Sequence, residues 1–328
     1  MRKTALLAAV LLAAALPSVA HAQQPRKLSF ILNFLAGGPQ AGFIYAQSLG
    51  LYKQAGIDLT IQEGKGSATT AQLVATGQTD LGFADAPAAM QLRAIGAPVK
   101  IVAPILQTNG FAIISLAEEN ITKPADLIGK RLAVQPGTAQ TTLLDAILAA
   151  NHIDGKVNVV NIDPGALVGA LLQKRVDAIL AGADFQGVQI VDRGFKINQL
   201  WYRDVGVPTV GLAVVARDDR IQKDADLFRE FIAVSLDGWA RARANPEAAA
   251  EAVHAQYPSA STEQIAKQLK VDLELLCAPG ATALGRVPAP IWTRTWDLLT
   301  TYLNLPKSKP VGDYYTDALL PADPPKCP

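Results

Sequence analysis

The 328-residue chain reads as an α/β protein of two lobes with a helical tail, and three observations predict it. A helix–turn–strand phrase occurs twice, over residues 73–85 and 171–184, each time closing on an aspartate (Asp85, Asp184) just past an apolar strand. Strand and helix patterns alternate through the first two-thirds of the chain. The last third then carries helical periodicity with no clear strand. Ligands of open α/β sheets gather beyond the carboxyl ends of the strands, so two such units roughly 100 residues apart suggest two lobes facing a shared cleft.

Taken in order, residues 27–33 predict a strand and 43–54 a helix ending near Gly56. Residues 57–62 are the next strand, and 67–76 a helix for which Ser67 is a suitable N-cap. Strand 81–84, helix 87–95 with Pro87 in its first turn, and strand 99–106 follow. This βαβαβαβ order implies a parallel sheet with right-handed crossovers. After Gly110 the series restarts: strands 111–116, 131–135, 157–161, 176–180 and 198–202 surround helices 138–150, 166–174 and 185–192. Strand 210–215 precedes helices 225–243, 246–255, 262–276 and 291–303. A helical tail cannot extend a third sheet, so it is expected to return and buttress the first lobe. The expected domains are residues 26–108 with 210–328, and residues 109–209, each a mostly parallel sheet flanked by helices.

The first 22 residues are expected to be a signal peptide. Arg2 and Lys3 form a positive start, residues 5–16 an apolar core too short to span a bilayer, and Ala20-His21-Ala22 a small-x-small cleavage site. The expected product is a soluble periplasmic or extracellular monomer. Thirty basic against 29 acidic residues give no hint of nucleic acid or anionic membrane as a partner. In an oxidising compartment Cys277 and Cys327 are expected to pair as a disulfide, tying down the proline-rich end. Two cysteines and two histidines beyond the leader (His152, His254) show no metal-ligand spacing, and no cofactor is implied.

Several phrases carry a family resemblance. Ile31-Leu32-Asn33-Phe34, Gly42-Phe43-Ile44-Tyr45-Ala46 and Gly50-Leu51-Tyr52-Lys53-Gln54-Ala55-Gly56-Ile57-Asp58-Leu59 resemble the opening of certain ABC-importer substrate-binding proteins. These are the thiamine-pyrimidine-precursor, sulfonate and nitrate binders with the type II periplasmic fold. Lys123-Pro124-Ala125-Asp126-Leu127-Ile128-Gly129-Lys130-Arg131 and Gln135-Pro136-Gly137-Thr138 resemble the start of the family's second lobe. The resemblance implies the same two-lobed fold, a small-molecule ligand and an inner-membrane permease as partner. The pyrimidine-precursor members often carry Trp-x-Pro-Asn-x-x-His-x-x-x-Tyr after the first strand; here the matching positions are Phe34, Ala36, Gly37, Gln40 and Ile44. An aromatic is kept while the histidine and tyrosine are lost.

The candidate ligand contacts are Asn33, Phe34, Gly38 and Gln40 after the first strand, Ser67 and Asp85 around the first repeated phrase, Gly137, Thr138 and Gln140 at the second lobe's first helix, and Asp184 and Asp204 beyond later strands. Asp80 and Asp177 lie at the opposite strand ends and read as turn or capping residues. Gly64-Lys65-Gly66-Ser67 superficially resembles a phosphate loop, but Leu59 stands where a Walker A loop needs glycine. No Gly-x-Ser-x-Gly elbow or His-Glu-x-x-His occurs, so an enzyme is not expected. Three candidate carboxylates with Lys65 as the nearby cation suit a small, flat, nitrogen-containing solute, pyrimidine-like in character. The alternatives are a sulfonate or other anion held at helix starts, or a pyrimidine-synthase-like enzyme on the same fold.

Overall fold

The structure is a computed structural model and describes residues 24–136, 138–303, 305–307 and 309–327. The expected signal peptide lies outside the described residues. Among the described residues, ten strands form two five-stranded sheets.

The first sheet takes β1 (Arg26–Ile31), β2 (Ile57–Gln62), β3 (Leu81–Asp85) and β4 (Val99–Pro104), joined by α1 (Ala41–Ser48), α2 (Leu51–Gln54), α3 (Ser67–Ala75) and α4 (Ala86–Ala94). The single helix expected over residues 43–54 is broken in two because Gly50 adopts φ 72°, a left-handed conformation that ends α1. The second sheet takes β5 (Phe111–Leu116), β6 (Arg131–Val134), β7 (Asn158–Asn161), β8 (Ala178–Gly182) and β9 (Ile197–Trp201). Its helices are α5 (Ala139–Thr142), α6 (Leu144–Ala150), α7 (Leu167–Leu172) and α8 (Val188–Asp192), the last preceded by a π-helical turn at Ala183–Gly187. Strand β10 (Leu212–Arg217) leads into α9 (Asp218–Lys223), α10 (Ala225–Ala244), α11 (Pro246–Gln256), α12 (Thr262–Leu273) and α13 (Ala289–Tyr302).

Strand order is β2-β1-β3-β10-β4 in one sheet and β7-β6-β8-β5-β9 in the other. Each sheet therefore holds one strand against the common direction: β10 runs antiparallel between β3 and β4, and β5 antiparallel between β8 and β9. β10 is the return strand of the chain, which leaves the first sheet after β4 and comes back after β9. The two crossing segments are bonded to each other, Asn109 N to Thr209 O at 3.2 Å and Asn109 Nδ2 to Thr209 Oγ1 at 2.9 Å. Gly211 lets them approach, since a Cβ there would strike the carbonyl oxygens of Thr108 and Leu106.

The strand entrances are locked by the two aspartates that the sequence places there. Asp80 accepts from Ser29 N and Ser29 Oγ, both at 2.8 Å, and pairs with Arg220 Nη1 at 2.6 Å. Asp177 accepts from Arg131 N and Nη2, both at 2.7 Å. Each aspartate sits just before its own strand; Asp80 reaches Ser29 within β1, and Asp177 reaches Arg131 at the amino end of β6.

One core is aromatic: Phe30 and Phe43 lie 4.8 Å apart, Phe43 and Phe83 4.9 Å, and Phe30 and Phe231 5.1 Å. It is closed by α10, whose approach to α1 requires two glycines. A Cβ at Gly42 would fall inside the Trp239 indole, and one at Gly238 would sit 2.5 Å from the Gly42 carbonyl oxygen. In the tail, α11 packs on α1 and α12 on the Gly38–Gln40 turn, whereas α13 packs against both α4 and α6. Trp292 and Trp296 of α13 are packing residues, Trp292 stacked on Tyr315 and Trp296 tilted against Tyr314, each with ring centroids 4.2 Å apart. Cys277 and Cys327 are disulfide-bonded across 50 residues of chain. Among the described residues, no helix is long and apolar enough to cross a membrane.

Candidate functional site

The carboxyl ends of β1, β3, β6 and β8 converge on one cavity of about 350 Å³ lined by both sheets and by α12. This is the side of an α/β sheet on which helix starts and loops leave backbone and side-chain polar groups free to meet a ligand.

From the first sheet, β1 runs out into Asn33 and Phe34. Gln40, 2% exposed, holds this turn: its Nε2 donates to Asn33 Oδ1 at 2.7 Å and its Oε1 accepts from Gly37 N at 2.9 Å. Asp85 ends β3. Its carboxylate accepts from Ser67 Oγ at 2.7 Å, and its own backbone N–H donates to Ser67 Oγ at 3.0 Å, so Ser67 is spoken for. Burial, opposed by the Ser67 hydroxyl and reinforced by the charge of Asp184, pushes the Asp85 carboxyl up to about 7.

From the second sheet, Thr138 caps α5: its hydroxyl donates to Gln135 O at 3.0 Å and accepts from Thr141 N at 3.3 Å. Gln140 lines the cavity, and its carbonyl accepts from the buried Tyr202 hydroxyl at 3.2 Å. Asp184 sits in the π-helical turn after β8, where burial raises its carboxyl to about 6 against the pull of the backbone N–H groups of Asp184 and Phe185. That turn also points Phe185 at Phe34, edge to face, with ring centroids 5.8 Å apart. The two rings come from opposite sheets, meet each other and line the cavity.

Of the expected contacts, Asn33, Phe34, Gln40, Ser67, Asp85, Thr138, Gln140 and Asp184 are thus brought together. Gly137 lies outside the described residues. Two expected residues lie outside this cavity. Gly38 does not line the cavity; it is buried under α12, where a Cβ would meet Leu269 N and Asp272 Oδ2. Asp204 is also absent from it: its side chain is 66% exposed, 3.9 Å from Arg203, at a turn that bonds back to Trp201 and Asn151 through neighbouring residues. The chain after β9 folds away from the strand ends, so proximity in sequence to a strand does not carry Asp204 to the cleft.

The sequence reading missed Asp272 of α12, which is 0% exposed and lines the cavity. Its carboxyl is held well above the ordinary range by burial, with a further push from Asp184. A sign of it was present: Ile265, Gln268, Leu269 and Asp272 fall at the i, i+3, i+4, i+7 spacing of a buried face, which places two polar groups on an apolar stripe. Three carboxyl groups therefore share the cavity with Lys65, the one cation among the described lining residues. Among the described residues no cluster of His, Cys, Asp and Glu suited to a metal occurs.

Comparison with known proteins adds a family. A protein of Brucella abortus (strain 2308), named as a binding protein, is 28% identical over 281 residues, covering 83% of this chain and 80% of that one. The riboflavin-binding protein of Chloroflexus aurantiacus is 24% identical over 322 residues, covering 94% and 91%. The periplasmic aliphatic sulphonate-binding protein of Escherichia coli has the same fold, with a TM-score of 0.72 at 19% identity over 89% of this chain and 97% of that one. With residues 39–249 matching the family described as NMT1/THI5 like, the chain belongs to the NMT1/THI5-like family.

Proposed function

We propose that this chain is the substrate-binding component of an ABC importer, a periplasmic monomer without catalytic activity that captures a small, flat, nitrogen-containing solute. Residues 26–108 with 210–328 form one lobe and residues 109–209 the other, and the solute is held between them. The observation that carries the reading is the pairing of like groups from both sheets around one cavity: Phe34 and Asp85 on one side, Phe185 and Asp184 on the other. Rings supply stacking faces, and carboxylates accept from ring N–H or amino groups. A relative named for riboflavin, itself a flat nitrogen heterocycle, supports that class. Closure of two lobes over the solute would offer a permease a distinct shape to recognise.

The second reading is a sulfonate, favoured by the fold shared with the sulphonate binder. Against it stands Asp184, whose carboxyl, raised only to about 6, is mostly ionised at neutral pH and would place like charge beside the anion in a partly desolvated site. Calorimetric titration with 2-aminopyrimidine and with butanesulfonate, on the wild type and on Asp184→Asn, separates the two. Binding of the aminopyrimidine that weakens in Asp184→Asn is expected; tight sulfonate binding that survives or improves in the variant would overturn the assignment.

A further inference from the structure

The three cavity carboxyl groups are not equivalent. Asp85 is served by the Ser67 hydroxyl at 2.7 Å, and Asp184 by the backbone N–H groups of its own turn. Asp272 has no such donor. It is fully buried, and neither of its oxygens has a hydrogen-bond partner. Its place is built rather than accidental: a Cβ at Gly38 would lie 2.6 Å from Asp272 Oδ2, so a glycine there leaves the carboxyl its room. Gln268, one turn earlier on the same face of α12, fixes the Gly38 turn by accepting from Gly38 N at 3.1 Å. A buried carboxyl left without a partner is costly, and such groups persist in folded proteins where something else completes them.

We propose that Asp272 is a specificity-determining residue of this cavity, and that the ligand presents to Asp272 and Asp184 a planar cationic nitrogen group: an amidinium, a guanidinium or a protonated amino-heterocycle. The inference rests on the cavity being the solute site and adds the ligand's charge. The charged groups facing Asp272 are Asp184 from the second sheet, Asp85 from the first, and Lys65, whose side chain is exposed at the rim. The balance is acidic. A planar group with two N–H donors matches a carboxylate in geometry, and the aromatic rings of Phe34 and Phe185 that line the cavity favour a cation beside them. Burial already holds Asp272 toward its protonated form in the unliganded site. Pairing with a cation favours the carboxylate, so binding expels a proton and affinity rises with pH until the ligand itself loses its charge.

The test is calorimetric titration of the purified protein at pH 7 with benzamidinium, benzamide and benzenesulfonate, planar aromatic probes of similar size that differ in charge. Running it in two buffers of different ionisation enthalpy counts protons. The expected result is benzamidinium binding at least about tenfold tighter than benzamide, with proton release. Asp272→Asn should weaken benzamidinium by about tenfold, leave benzamide within about threefold, and reduce the proton release. Asp184→Asn gives the same readout if Asp272→Asn does not fold. Benzamide binding as tightly as benzamidinium, or a charge preference unchanged in both variants, overturns the cation inference and leaves the solute-binding reading standing. Benzenesulfonate as the tightest ligand overturns both, and absence of binding by all three counts against both.

Discussion

The carboxyl groups of the cavity should make the unliganded protein less stable as pH rises, opposite to the usual behaviour of carboxylates held by salt bridges. Asp85 is raised from 3.8 to about 7. A carboxyl raised by folding contributes stability that is complete below its unfolded value and lost as pH rises through its folded value. For Asp85 the full loss is about 4 kcal/mol, of which about 2.5 kcal/mol falls between pH 5 and pH 8. Asp184, raised to about 6, works in the same direction. The opposing groups, Asp80 and Asp177, are depressed by hydrogen bonds and by the charges of Arg220 and Arg131. Their contribution is present above the unfolded value and is lost only toward lower pH, so it is nearly constant across this window. Urea unfolding followed by far-UV circular dichroism at pH 5, 6, 7 and 8 reads the effect. The wild type should lose several kcal/mol over the range, and Asp85→Asn should flatten the profile by about 2.5 kcal/mol. A wild-type stability that is level or rises from pH 5 to pH 8, or an Asp85→Asn profile parallel to it, would be incompatible with a raised Asp85 carboxyl.

Replacing Cys277 and Cys327 together by serine removes a closure of 50 residues and should cost about 4 kcal/mol in urea unfolding. Intact mass after alkylation without reduction should show both thiols protected in the wild type. Gly42→Ala pushes a methyl group into the Trp239 indole and should cost about 1–3 kcal/mol, with the loss visible as a lower urea midpoint. Phe34→Ala removes one of the two rings that line the cavity and should weaken an aromatic ligand by about 2- to 10-fold in titration, with little change in thermal midpoint.

Much of the architecture is legible in the sequence because alternation of strand and helix patterns is a local property. Residues 57–62 and 111–116 form strands at the bounds that the pattern gives; Asp184 lies past the end of β8 as the repeated phrase suggests, whereas Asp85 is still the last residue of β3. Pairing is not local. Nothing in the apolar run 212–217 says that it will enter between β3 and β4 against their direction; that follows from the chain having to return from the second sheet. The site divides in the same way. Asn33 and Gln40, or Ser67 and Asp85, are reached by following one strand into its loop, whereas Asp272 arrives from a helix nearly 200 residues later in the chain, selected by tertiary packing alone. Asp204 fails for the converse reason, a loop that satisfies its backbone locally and turns outward.

Native mass spectrometry of the protein purified without refolding is the decisive measurement of what the cavity holds. The expected result is a retained small solute, displaced on denaturation, whose exact mass and fragmentation show an unsaturated nitrogen-containing ring, with occupancy that falls in Asp184→Asn. A retained sulfonate or other strong anion, with occupancy maintained in Asp184→Asn, would contradict it.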